Sequence, residues 1–203
     1  MLPGIGLARS AVLAGVVANL VVGVAALVLY PAVLGAERTP FVLADMVLLV
    51  AYGAWVVVGP APAWRCLALG CLAGLIQVGD IAREYFTGWS PLLLPLALLA
   101  SLLCFGAAGG GWRGGVWAAL TAMLLIWLLA WWINFAYIDR LASVLVLDPD
   151  FASGSLKEPR AYAVWNTFSA ALSHAVLLPL MGAAAGGLGS LVTRRVPNRS
   201  GFW

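Results

Sequence analysis

The chain has 203 residues, of which 64% are hydrophobic and 9% charged, and its mean hydropathy is +1.02. A soluble domain carries about 25% charged residues, so these charges are too few to cover a surface that faces water. The 11 basic and 8 acidic residues give a net charge of +3, and no basic cluster with interleaved aromatic residues occurs, which excludes a nucleic-acid partner.

Long apolar runs recur along the whole chain, and they predict one all-α, polytopic membrane domain that covers residues 1–203. A membrane-spanning helix needs about 20 predominantly apolar residues. We predict six spans, at approximately 11–30, 41–58, 66–85, 92–108, 116–138 and 162–192. The first run exceeds the h-region of a signal peptide, about 7–15 residues, so it is interpreted as a span, with cleavage near Ala36 as the alternative.

Residues that favour turns separate the predicted spans. Short turns are predicted at residues 35–40, 59–65, 87–91 and 109–115. The longest connection, Asp139 to Glu158, is predicted to be a loop. Ser155 and Glu158 fit a capping box for the last helix, and Pro179 predicts a kink within that helix.

The charges are distributed unevenly between the two predicted sides of the membrane. Six spans place both termini on one side, whose basic residues are Arg9, Arg65, Arg113, Arg194, Arg195 and Arg199. All eight acidic residues fall at or near the opposite side. Lys and Arg counts alone, six against five, decide little under the positive-inside rule, but the acid-free side supports six crossings. We predict a bacterial cytoplasmic membrane protein with both termini in the cytoplasm.

Polar residues concentrate toward the predicted outer half of the membrane. Ionisable groups in a bilayer cost about 2.5–3.5 kcal/mol each and normally pair or line a cavity. We therefore predict an outward-facing polar pocket between the second, third, fifth and sixth spans. Its predicted ligand-binding residues are Asp45, Gln77, Asp80, Arg83, Glu84, Asn134, Asp139, Asn166 and His174.

Within this pocket Asp45 and His174 are the deepest ionisable groups, and they are expected to meet. His174 can exchange a proton near neutral pH. The 80–84 cluster is expected at the mouth. Purely structural interpretations stay open for each group: a solvated helix end at 80–84, ordinary interfacial charge at Asp139, and interhelical hydrogen bonds along the last span.

Several kinds of chemistry find no motif in the chain. No metal-ligand spacing is present, no nucleophile elbow occurs, and the scattered glycines match no cofactor fingerprint, so neither a metal nor a cofactor is expected. Cys66, Cys71 and Cys104 are odd in number and lie in apolar runs, which predicts free thiols and no disulfide framework.

The function favoured by this pattern is binding or translocation of a small polar solute or ion. The first alternative is a non-catalytic subunit or assembly factor, whose glycine-rich faces would pack against other membrane subunits or a second copy of the chain. The second is an intramembrane enzyme that acts on a lipid or quinone. All three hypotheses require the lipid bilayer as a partner. A non-enzymatic role is favoured.

Overall fold

The computed structural model describes residues 6–29, 31–87, 92–147 and 149–195, and every regular element in these ranges is an α-helix. The prediction of an all-α protein is therefore confirmed. The helices are α1 (Leu7–Leu29), α2 (Pro31–Val58), α3 (Trp64–Thr87), α4 (Leu93–Ala107), α5 (Gly111–Ala136), α6 (Ile138–Leu145), α7 (Pro149–Ser153) and α8 (Pro159–Arg195).

Five helices of the described chain are long and apolar enough to cross a membrane, which indicates a multi-pass membrane protein. They provide the candidate spans Leu7–Leu29, Arg38–Val58, Trp64–Arg83, Gly111–Ala136 and Pro159–Val192. The fourth predicted span corresponds to α4, an apolar helix of 15 residues. At about 1.5 Å per residue, α4 is shorter than the hydrocarbon core of a typical bilayer, which is about 30 Å thick.

Two predicted connections prove to be helical. The prediction of a turn at residues 35–40 is wrong, because α2 begins at Pro31 and continues through Pro40. Pro31 occupies the first helical position, where a missing N–H costs nothing. The loop from Asp139 to Glu158 contains α6 and α7. Helix α6 is amphipathic, with Leu141 buried and Asp139 exposed, and a helix this short has no span-length apolar signal.

The predicted capping box before α8 is also wrong. Glu158 itself caps the helix, since its carboxylate accepts hydrogen bonds from the backbone N–H groups of Arg160 and Ala161. The Ser155 hydroxyl instead accepts a hydrogen bond of 2.7 Å from the Arg38 guanidinium. Helix α8 is continuous through Pro179, so the helix does not end at this proline.

Helices α5 and α8 form the centre of the bundle and run antiparallel. Near one end their backbones touch at glycines: a Cβ added to Gly115 would lie 1.9 Å from the Gly182 carbonyl oxygen. Toward the other end large side chains separate them, with the Trp131 and Phe168 ring centroids 4.5 Å apart. The close approach of two backbones explains why small residues recur at four-residue spacing here.

Contacts between helix ends fix how the chain runs through the bundle. At one end the Arg9 guanidinium donates to the Gly59 carbonyl, and the Cys66 thiol donates to the Ala108 carbonyl at 3.6 Å. At the other end Arg38 lies over the Trp165 ring, 5.6 Å from its centroid. The consecutive long helices therefore alternate in direction, and α2 and α8 run parallel.

Candidate functional site

A cavity of about 10 Å³ lies among α1, α2, α5 and α8. Its polar side chains include Asn19, Asp45 and Trp127, one from each of the first three of these helices. The indole of Trp131 also lines it, the other lining residues are apolar or glycine, and Phe168 and Ala171 supply the α8 wall. The volume is close to the roughly 10–15 Å³ that one water molecule requires.

Each of the three polar side chains has a buried atom without a hydrogen-bond partner among the described residues. These atoms are Asn19 Oδ1, Asp45 Oδ1 and Trp127 Nε1. The exposed fractions of the three residues are 2%, 4% and 4%. A buried polar atom left unpaired costs about 1–3 kcal/mol, so three such groups at one cavity need an explanation beyond packing.

The sequence of α1 explains how Asn19 is held at this position. Gly15, Asn19 and Gly23 share one face because they recur every four residues. That face packs against Leu124 of α5 and Met46 of α2. Asn19 Nδ2 donates to the carbonyl oxygens of Gly15 at 2.9 Å and Leu124 at 3.3 Å. A flipped amide would oppose oxygen to two carbonyl oxygens, so these bonds fix Oδ1 as the atom without a partner.

One face of α2 joins the cavity to α8. Asp45, Leu49 and Tyr52 follow one another at four and then three residues, which aligns them along the helix. Asp45 and Leu49 line the cavity. Tyr52 lies one turn further and donates a hydrogen bond of 2.5 Å to the Ala175 carbonyl oxygen.

Four other predicted site residues take part in local or interhelical contacts. Gln77 Nε2 donates to the Ser101 hydroxyl at 3.0 Å, which joins α3 to α4. Asp80 pairs with Arg83 within α3 at 3.0 Å. Asn134 donates to the Thr167 hydroxyl at 2.8 Å, which joins α5 to α8. None of these residues lines the cavity beside Asp45.

The remaining predicted residues also lie apart from that cavity. His174 is half-buried on α8, one turn beyond Ala171, and does not line it. Asn166 is half-buried near the beginning of α8. Asp139 forms an exposed ion pair with Arg160 at 2.5 Å. The side chain of Glu84 lies outside the described residues, as do those of Glu37, Asp148, Arg194, Arg195 and Arg199.

A second, wider cavity of about 280 Å³ lies at the rim, where α6 meets the beginning of α8. Asp139, Glu158 and Arg160 supply its charges, and all three are exposed. These groups are already used by the ion pair and by the helix cap. The rim cavity therefore resembles a solvated surface groove more than a site with unsatisfied groups.

Asn19 and Trp127 were not predicted as site residues. Their importance depends on which helix faces meet, and hydropathy carries no information about this. The relevant signal was Asn19 itself, since a buried asparagine in a membrane helix normally hydrogen-bonds to another helix.

The described residues contain no group of three or more His, Cys, Asp or Glu side chains that could hold a metal ion. Cys66 and Cys104 are buried free thiols, and Cys71 is exposed. Comparison of the chain with protein-family models, with curated proteins and with solved structures finds no match.

Proposed function

We propose that this protein is a six-span protein of a bacterial cytoplasmic membrane that binds and translocates a small ion. Asp45 is the ion-binding group, and the cavity that it shares with Asn19 and Trp127 is the binding site. The observation that carries the proposal is the unpartnered Asp45 Oδ1 at an internal cavity. Ionisable residues at membrane depth characteristically mark ion pathways and proton relays.

The size of the cavity narrows the class of ligand. Sites for organic molecules are typically about 300–1,000 Å³, whereas this cavity measures about 10 Å³. It has space for one water molecule or a small ion and none for a larger solute. The negative charge of an ionised Asp45, with no basic side chain among the residues that line the cavity, favours a cation.

The proposal includes an orientation in the membrane. We place both termini in the cytoplasm, which puts Arg9, Arg65 and Arg113 on the side favoured for basic residues. The rim with α6 and Glu158 then faces the periplasm, and Asp45 lies in the outer half of the membrane. A reporter fused after residue 203 tests this orientation, because alkaline phosphatase would be active only on the periplasmic side and a cytoplasmic fluorescent protein only on the other.

Ion flux into proteoliposomes tests the function. Purified protein is reconstituted, and the entry of protons, Na⁺ or K⁺ is followed with enclosed fluorescent indicators. We expect Asp45→Asn to lower flux by at least about tenfold, because the site loses its ionisable group. Asp139→Asn is the matched control, since it makes the same change at an exposed carboxylate and should leave flux unchanged.

Two outcomes contradict the proposal. If folded, monodisperse wild-type protein passes none of these cations, ion translocation is not its function. Equal flux in wild type and Asp45→Asn would remove Asp45 from the pathway. A stable partner that co-purifies with a flux-inactive protein would instead favour the role of a non-catalytic subunit.

A further inference from the structure

The cavity at Asp45 presents a particular set of hydrogen-bonding groups, and this set distinguishes between cations. Asn19 Oδ1 can only accept, and the amide is held in this orientation because its nitrogen donates to two carbonyl oxygens. Trp127 Nε1 can only donate. Asp45 Oδ1 accepts when the carboxyl is ionised and can donate when it carries a proton. The three buried atoms without a partner therefore comprise one fixed donor, one fixed acceptor and one group that can change.

We propose that the ion at this site is a proton, which Asp45 binds and exchanges with a single water molecule held between Asp45, Asn19 and Trp127. This inference rests on the proposed function and names its ion. A water molecule at this position would accept from Trp127 Nε1 and donate to Asn19 Oδ1 and Asp45 Oδ1. Three hydrogen bonds are typical of a buried water molecule, and the cavity has the volume of about one.

The exchange step balances without another reactant. A hydronium ion that reaches the cavity transfers a proton to the ionised carboxylate of Asp45, forming an O–H bond and leaving neutral water. Release is the reverse: the O–H bond breaks and the proton returns to a water molecule. Asn19 and Trp127 act as positioning residues, because they hold the water beside the carboxyl and exchange no proton themselves.

A metal ion fits the same cavity poorly. Hard cations are coordinated by several oxygen atoms, six or more for Ca²⁺ and an octahedral set for Mg²⁺. Here Asn19 and Asp45 supply the side-chain oxygens, while Trp127 supplies an N–H that repels a cation. The remaining lining residues have no side-chain oxygen, so a bare metal ion would be left under-coordinated. A proton needs no coordination shell beyond the carboxyl and the water.

Other charged and titratable groups on the enclosing helices lie elsewhere. On α2 these are Arg38 at the helix end and Tyr52, whose hydroxyl bonds to α8. On α8 the nearest is His174, which does not line the cavity. The described basic residues of α1 and α5 are Arg9 and Arg113, each in the first turn of its helix. Among the residues that the structure describes, Asp45 is therefore the titratable group that lines the cavity.

The test measures proton entry into proteoliposomes in sodium-free and sodium-containing buffer, with the membrane potential clamped. We expect the same proton flux in both buffers and no flux of Na⁺ or K⁺. In parallel, infrared difference spectra between acid and alkaline pH should contain a carboxylic-acid C=O band that is lost in Asp45→Asn. Flux of Na⁺ without proton flux would contradict the inference that the ion is a proton, but it would leave the proposal of ion translocation intact. Absence of all cation flux would contradict both the inference and the proposed function.

The role of the water is tested with a pair of tryptophan variants. Trp127→Phe removes the N–H at the cavity and should lower proton flux by about tenfold, which equals about 1.4 kcal/mol in the barrier, and shift the Asp45 infrared band. Trp117→Phe is the matched control, because Trp117 Nε1 on the same helix is also buried without a partner among the described residues but lies away from the cavity. If both variants shift the Asp45 infrared band equally, Trp127 does not belong to the site.

Discussion

The Tyr52 hydroxyl donates its hydrogen bond to the carbonyl oxygen of Ala175, the carbonyl that Pro179 deprives of a helical donor. In an α-helix the carbonyl of residue 175 accepts from the N–H of residue 179, and proline has no N–H. Within a membrane such a freed carbonyl must find a partner in a neighbouring segment. Tyr52 on α2 supplies it, which explains how α8 remains helical through Pro179.

This relationship predicts that Tyr52 and Pro179 are energetically coupled. Tyr52→Phe should lower the free energy of unfolding by about 0.6–1.7 kcal/mol, the average and the maximum measured for hydrogen bonds between membrane helices. In a Pro179→Ala background the loss should be smaller, because the N–H of the new alanine can donate to Ala175. Detergent unfolding of both single variants and the double variant measures the coupling. An equal cost of Tyr52→Phe in both backgrounds would contradict it.

The glycine contact between α5 and α8 predicts a strong dependence on position. Gly182→Ala should destabilise the fold by about 1–3 kcal/mol, the usual cost of overpacking, since a Cβ there would lie 2.5 Å from both the Ala119 Cβ and the Gly115 carbonyl oxygen. Gly187→Ala is the control on the same helix, with no atom within 4 Å of its added Cβ. Thermal unfolding in detergent should separate the two variants clearly.

A variant of Gln77 tests whether this residue makes only a structural hydrogen bond or belongs to the ion-binding site. Its amide donates to Ser101, whose hydroxyl in turn donates to the Ala97 carbonyl at 2.8 Å. Gln77→Met keeps the length of the side chain and leaves Ser101 bonded to Ala97. We expect a stability loss near 0.6 kcal/mol and an unchanged ion flux. A flux defect as large as that of Asp45→Asn would restore Gln77 to the binding site.

Glu158 should contribute more to stability than its exposed charge suggests. Glu158→Ala removes an acceptor from two N–H groups at the beginning of α8 and should cost about 1 kcal/mol. Asp139→Ala removes an exposed ion pair with Arg160, and such pairs contribute about 0–1 kcal/mol. Unfolding of the two variants should show the larger loss for Glu158, and the reverse order would contradict the cap.

The sequence predicted the helical class and the positions of the long apolar helices, because hydropathy reports directly on burial in lipid. Residues 31–40 were missed for a physical reason. Two prolines and a glycine favour a turn locally, yet Pro31 is tolerated at the first helical position. Helix α6 was missed because an eight-residue amphipathic helix carries no span-length signal.

The site was less accessible to sequence reasoning than the fold. Asp45 stands out because a carboxylate inside an apolar run is costly, and its position could be named from the sequence. The contacts of Asn19 and Trp127 depend on three helices meeting, and no local pattern encodes that meeting. For the same reason Gln77 and Asn134, which bond to α4 and α8, could not be separated from Asp45 by their residue type alone.

The two helices at the centre of the bundle meet differently along their length. Gly115 and Gly182 press backbone against backbone at one end, whereas Trp131 and Phe168 act as spacers at the other. If α8 pivots on this glycine contact, a given change in its tilt relative to α5 displaces it least at the glycines and further beside Asp45.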